Sequence, residues 1–226
     1  MSRNFKIVPG ELYHIYNRGT DKRNIFTSVH DYERFLTLLY VSNGSTPVHL
    51  QLQGSTLNKV RDIDLDKKLV NMGAYCLMPN HFHAILSGIE MDGVSRFMQK
   101  LTTGYTMYFN KRHERSGSLF QGRYKAVHID KDRYLKYLMA YIHLNPIKII
   151  DSKWKEEGIK DLKKSETHLE SYKYSSYLDY VLGDRIESCI LNKDILPKYF
   201  ETNHDLRSYI NDLLEYSRLN LEEIAG

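Results

Sequence analysis

Apolar and polar positions alternate over residues 11–17, ELYHIYN, a stretch rich in β-formers, which predicts a strand ending at the turn Arg18-Gly19. From Asp31, at or near a helix N-cap, DYERFLTLLYVS sets Phe35, Leu38 and Leu39 on one helical face. Residues 42–60 scatter Gly, Ser, Thr and Pro between short β-like pieces and read as a loop or hairpin insertion. The apolar run 68–86 predicts a long strand region broken at Pro79-Asn80, where a bulge or bend would re-aim the side chains that follow. Asp92 is placed to cap a helix over 92–113 whose Val94, Phe97, Met98, Leu101 and Tyr105 form one apolar stripe. Ser116-Gly117 stops it, and 118–129 resembles a strand pair or one long bent strand. Asp130 opens a further amphipathic helix, KDRYLKYLMAYIHLN, which Pro146 stops. Strands and helices in this order predict an α+β unit, a small antiparallel sheet with helices packed on it.

The pattern changes past residue 150. Residues 151–173 are Lys-rich and polar with a single Trp, and predict an exposed connector. SSYLDYVLG and ILPKYF…LRSYINDLLEY then read as short helices. The expected organisation is one domain over 1–150 and a helical C-terminal extension over 151–226, with no internal repeat.

Composition narrows the class. At 226 residues, 42% apolar and 27% charged, the chain can bury a core of ordinary size. No apolar stretch approaches the roughly 18 residues of a membrane span, and no signal-peptide pattern opens the sequence, so a cytoplasmic location is expected. Cys76 and Cys189 are far apart in unrelated contexts, which favours a buried free thiol at Cys76 over a disulfide scaffold. The net charge of +4 and the 18 tyrosines are compatible with a nucleic-acid surface without requiring one.

The chemistry concentrates in YCLMPNHFHAIL. In an extended strand His81 and His83 share a face while Phe82 turns to the other, so both imidazoles can converge on one ion. Unpartnered imidazoles in an apolar run are costly to bury, which favours metal binding over two idle rings. Neutral imidazoles with oxygen co-ligands suit Mn²⁺ and tolerate Mg²⁺, whereas a structural zinc site wants four protein ligands. In YIHLNP, Tyr141 and Asn145 stand one helical turn apart on a stripe that also carries Tyr134 and Tyr137. Such a stripe is ordinary packing unless a metal-polarised substrate activates one phenol. Asn145 is either the helix C-terminal residue or, through its amide oxygen, a third metal ligand. His143 points about 200° away from Tyr141 and reads as structural. Basic residues interleave with aromatic ones in two places: Arg18, Lys22 and Arg23 near Tyr16, and Lys111, Arg112, Arg115, Gln121, Arg123 and Lys125 around Tyr124. They are solvated turns or, in a phosphodiester enzyme, a groove for DNA.

YHIYNRGTDKRNIF, AYCLMPNHFHAIL, SGSLFQGRYKA and DRYLKYLMAYIHLNPIK together resemble the REP-associated tyrosine transposases, a branch of the insertion-sequence-200-like single-tyrosine His-hydrophobic-His transposases. The resemblance covers about 8–150, and SSYLDYVLG looks like the tail of this branch. It implies a ferredoxin-like catalytic domain acting on single-stranded DNA, often with hairpins, with His81 and His83 as ligands of Mg²⁺ or Mn²⁺ and Tyr141 as nucleophile. It also implies a homodimer in which the tyrosine helix docks on the sister subunit's metal site. Better-known members carry Gln four residues after the tyrosine, where this chain has Asn145. The expected activity is cleavage and rejoining of DNA through a 5′-phosphotyrosine link; the rival expectation is a domesticated, catalytically silent hairpin-binding protein.

Overall fold

The computed structural model describes residues 6–46, 50, 55–197 and 206–210; parts of the 42–60 insertion and of the C-terminal helical expectation lie outside them. Four antiparallel strands, β1 (Leu12–Arg18), β2 (Val70–Met78), β3 (His81–Gly88) and β4 (Lys125–His128), form one sheet in the order β2-β3-β1-β4. α1 (Val29–Val41) connects β1 to β2, and a short α2 (Leu57–Val60) precedes β2. α3 (Gly93–Arg112) connects β3 to β4, and α4 (Asp132–Leu144) follows β4. The first six of these elements other than α2 give the β-α-β-β-α-β succession of a ferredoxin-like α+β fold, as the sequence led us to expect.

The sheet separates two apolar layers because its side chains alternate. On one face Tyr13, Ile15, Phe82, Ala84 and Leu86 pack with Phe35 and Leu39 of α1 and Phe97, Leu101 and Tyr105 of α3. On the other, Ala74, Cys76, Met78 and Ile85 meet Leu135, Leu138, Met139 and Ile142 of α4. Cys76 is buried and free, as its apolar strand predicted.

Local chemistry explains several shifts from the sequence reading. Helix α1 begins earlier because Ser28, not Asp31, is the N-cap. Asp31 sits three residues on, and its carboxylate accepts from the backbone N–H of Ser28 at 3.0 Å and of Thr27 at 2.9 Å. The break at Pro79-Asn80 is a two-residue hairpin turn, not a bulge within one strand, so His81 opens β3. The irregularity in the ladder falls between Met72 and Ala74. Asp92 precedes α3 but makes no side-chain cap bond. The segment 118–129 keeps only β4 as strand; Phe120 forms an isolated bridge to Gly19.

The loop after β1 braces the histidine hairpin. Gly19 donates to the Asn80 carbonyl at 2.9 Å, and Ile25 and Phe26 both donate to the Pro79 carbonyl. A Cβ at Gly19 would stand 2.3 Å from the Arg23 carbonyl oxygen, so the tight turn requires glycine.

Residues 151–173 are not an exposed connector. They form α5 (Ile147–Ile150) at their approach, α6 (Trp154–Glu157) and α7 (Leu162–Ser171), with the Trp154 side chain buried in a third cluster beside Leu144, Ile147 and Leu169. One tryptophan was enough to seed a core that the Lys-rich composition concealed. The following residues run along the outer edge of β2: Leu77 donates to the Tyr174 carbonyl, Ser176 to Tyr75, and Asn192 to Met72. Here α8 (Tyr177–Val181) holds Asp179, fully buried and bonded at 2.6 Å by both Arg185 Nη2 and Ser188 Oγ. Backbone groups at that edge are thereby paired instead of left for another chain.

Candidate active site between the sheet and the tyrosine helix

The register of β1 and β3 pairs Tyr16 with His83 and Arg18 with His81. Alternation then puts His14, Tyr16, Arg18, His81 and His83 on the face that α4 covers, while Phe82 points into the α1–α3 layer, 5.1 Å from Phe35 between ring centres. The rings of His81 and His83 are 5.0 Å apart and perpendicular.

Each imidazole is held through Nδ1. His81 Nδ1 lies 2.6 Å from Asn80 Oδ1, and His83 Nδ1 lies 2.8 Å from His14 Nε2. Asn80 Oδ1 is an acceptor, so the His81 proton sits on Nδ1 and Nε2 keeps its lone pair. Burial pushes His81 down to about 4, helped by the charges of Lys148, Lys155 and Arg18. Burial likewise holds His83 well below the usual histidine range, with His81 and His14 adding to the shift. Both rings are neutral at pH 7, the form a metal requires.

Tyr141 arrives from the opposite side. Its ring meets His83 edge to face at 5.5 Å, within one chain. Tyr137, one turn earlier, stacks on it at 6.0 Å. Burial raises the phenol pKa above its ordinary value, and the neighbouring Tyr137 adds to this, while the Asn145 side chain works against it. Asn145 is 3% exposed and donates its amide N–H to the Tyr141 carbonyl at 2.8 Å, so Oδ1 is the atom left to act as an acceptor or ligand. Lys155, carried by α6, places its ammonium 3.9 Å from the centre of the Tyr141 ring.

The donor set fits a divalent ion of the Mn²⁺ or Mg²⁺ kind. No group of three or more His, Cys, Asp or Glu residues is placed to hold a metal among the described residues, so a pair of imidazoles would need oxygen co-ligands. Neutral rings pinned through one nitrogen present the other, as outer-shell partners do around metal-binding histidines.

The expected DNA-contacting residues are spread over several places. Arg18 donates to Gln121 Oε1 at 2.5 Å, and Lys125 sits opposite Tyr16 on β4, so these three flank the site face. Arg123 is exposed in the intervening loop. Lys22 and Arg23 occupy the strained turn after β1, where Asp21 and Lys22 both have positive φ and Arg23 pairs with Asp21 at 3.4 Å. Lys111 and Arg112 end α3 in the other layer and Arg115 follows just beyond it; Arg112 lies 3.7 Å from Asp31, and Arg115 bonds Asn110 and the Ser118 carbonyl.

Two contributors escaped the sequence reading. His14 shares the parity of Tyr16 in ELYHIYN, and pairing that strand with HFHAIL would have placed it beside the two histidines. Lys155 had no such signal, because the chain turn after Pro146 and the burial of Trp154 return it to Tyr141. His143, by contrast, is structural as expected, fully buried with Nε2 at 2.8 Å from Ser176 Oγ.

Residues 48–145, which span both histidines, Tyr141 and Asn145, match the family model described as "Transposase IS200 like". This chain is similar to the IS200-like transposases. Among solved structures, one described as the REP associates tyrosine transposase bound to a REP hairpin superposes with a TM-score of 0.50 at 14% identity, covering 83% of this chain and 89% of that one. At that identity the likeness speaks for the fold, a sheet and helices shared with a tyrosine transposase. No curated protein is detectably similar to the chain. No helix among the described residues is long and apolar enough to cross a membrane.

Proposed function

We propose that this IS200-like transposase relative cleaves and rejoins single-stranded DNA through a 5′-phosphotyrosine link formed at Tyr141. The observation that carries the reading is the meeting of Tyr141 with His83 at 5.5 Å, beside two hairpin histidines that are neutral and share one face. Residues 1–150 form the catalytic unit and 151–226 the extension; because Tyr141 reaches His83 of its own chain, one copy contains the whole constellation.

His81 and His83, with Asn145 Oδ1, would hold a Mg²⁺ or Mn²⁺ ion, which when bound polarises the scissile phosphate and offsets charge in the transition state. Asn80 fixes the coordinating nitrogen of His81, and His14 does the same for His83 when His83 donates from Nδ1. Arg18, Gln121 and Lys125 line the approach of the strand, where cations neutralise phosphates and Tyr16 offers a face to an unpaired base. Tyr141 Oη attacks phosphorus as it loses its proton, the bond to the 3′-oxygen breaks, and that oxygen leaves protonated as a 3′-hydroxyl. Reversal needs no outside energy, since the phosphodiester is exchanged and not hydrolysed.

The hairpin carried by the similar solved structure supports a hairpin-bearing strand as the substrate class. Incubation of such strands with the protein and Mn²⁺ or Mg²⁺ should yield a denaturation-resistant protein–DNA adduct that Tyr141→Phe abolishes. Tight hairpin binding with no adduct under either metal would instead identify a silent binding protein, and cleaved DNA free of protein would identify a water-using nuclease.

A further inference from the structure

The C-terminal extension returns a cation, Lys155 of α6, to the tyrosine helix. Lys155 places its ammonium 3.9 Å from the Tyr141 ring centre and 5.6 Å from that of Trp154. Its neighbours are satisfied differently: Lys153 and Lys160 both pair with Glu157. Lys155 has two aromatic faces and, among the described residues, no carboxylate within ion-pair distance, Glu156 acting on it only from farther away. A half-buried ammonium has lost part of its hydration, and ring faces return only a fraction of it. A full counter-charge is missing, and the proposed reaction brings two: the phosphodiester, and the phenolate that develops at Tyr141.

We propose that Lys155 is a catalytic residue of the strand-cleavage step, its ammonium stabilising the Tyr141 phenolate and receiving a non-bridging oxygen of the scissile phosphate. The inference rests on the cleavage reading above and adds a residue from the C-terminal extension to that site. Loss of water pushes Lys155 down to about 8, with the exposed Lys148 adding to the shift and Glu156 opposing it. The geometry differs from simple stacking: a packing lysine would need only its methylene stem against the ring, whereas here the charged nitrogen lies over it. Arginine can reproduce the charge and the ring contact, but methionine reproduces only the stem.

The test compares wild type, Lys155→Met and Lys155→Arg in two assays on the full chain. In single-turnover adduct formation with hairpin DNA and Mn²⁺, Lys155→Met should be slower by about 10²-fold, the scale for losing one preorganised charge stabiliser, and Lys155→Arg should recover most of the rate. In metal-free, DNA-free protein, nitration of the Tyr141 peptide by tetranitromethane at pH 8 reads the phenolate fraction and should fall in Lys155→Met, with an exposed tyrosine peptide as internal standard. A shared thermal melt with wild type establishes folding, and Lys155→Gln, which removes the charge but keeps a polar end, carries the test if Lys155→Met does not fold. Adduct from wild type with an equal rate and equal nitration in Lys155→Met would overturn the role of Lys155 and leave the cleavage reading standing. Absence of any wild-type adduct would remove the cleavage reading and this inference together.

Discussion

The two faces of the one sheet are built from the same strands yet serve opposite ends. Toward α1 and α3 the sheet offers Tyr13, Ile15, Phe82, Ala84 and Leu86, a continuous apolar surface with aromatic contacts from Phe35 and Tyr105. Toward α4 the interleaved positions are His14 and His83, both buried, Tyr16 and His81, half-buried, and Arg18, exposed at the rim. The first face gains stability from area removed from water. The second gives up some of it, since neutralised imidazoles and a phenol of raised pKa are held where a charged form is unfavourable. Strand alternation thus lets one hairpin anchor itself through Phe82 and present chemistry through its flanking histidines.

Substitutions on adjacent residues of β3 should break this comparison most sharply. Replacing both His81 and His83 by alanine should remove Mn²⁺ binding and adduct formation, while stability changes by less than about 1 kcal/mol per site, as for groups outside an apolar core. Phe82→Ala should do the reverse, costing about 3–5 kcal/mol in chemical denaturation because it leaves a cavity between Phe35 and Phe120. Equal losses of stability from the histidine and phenylalanine changes would show that the faces are not specialised.

His14→Phe tests the outer shell. It keeps an aromatic ring but removes the partner of His83 Nδ1, and Mn²⁺ affinity measured by calorimetry should weaken about 10–100-fold.

Acid should loosen the polar layers. Burial lowers His14 to about 4 and His143 to about 3, against 6.5 in the unfolded chain. The unfolded state therefore binds more protons below pH 6.5, and the contribution of these groups, complete above 6.5, is lost as pH falls toward 4 and 3. Denaturation midpoints taken at pH 7, 6 and 5 should decline, by up to about 1.4 kcal/mol per pH unit for each histidine. His143→Gln should make the decline shallower.

The smallest effect belongs to the rim. Lys125→Ala should weaken hairpin binding slightly and evenly across sequences, reducing the slope of log affinity against log salt by about 0.7–0.9. Arg112→Ala should act on stability instead, since Arg112 faces the buried Asp31.

How far the sequence disclosed this arrangement follows from the range of each interaction. Alternation and helical stripes are local, so β1, the stripe of α3 and the shared face of His81 and His83 could be read directly. The Pro79-Asn80 break was visible, but turn and bulge look alike until the partner strand is known. The union of Tyr141 with His83 depends on how α4 crosses the sheet, and spacing alone left Tyr134, Tyr137 and Tyr141 equivalent. Lys155 was hidden because a Lys-rich, polar segment gave no sign that Trp154 would bury and carry its neighbour inward.

The central claim is that one phosphorus atom is reached by the phenol of Tyr141 beside the His81–His83 pair. Peptide mapping by mass spectrometry after incubation with hairpin-bearing single-stranded DNA and Mn²⁺ tests it most directly. The account predicts a nucleotide-bearing phosphate on the peptide containing Tyr141 and on no other; a linkage at Tyr134 or Tyr137, or one that persists in Tyr141→Phe, would contradict it.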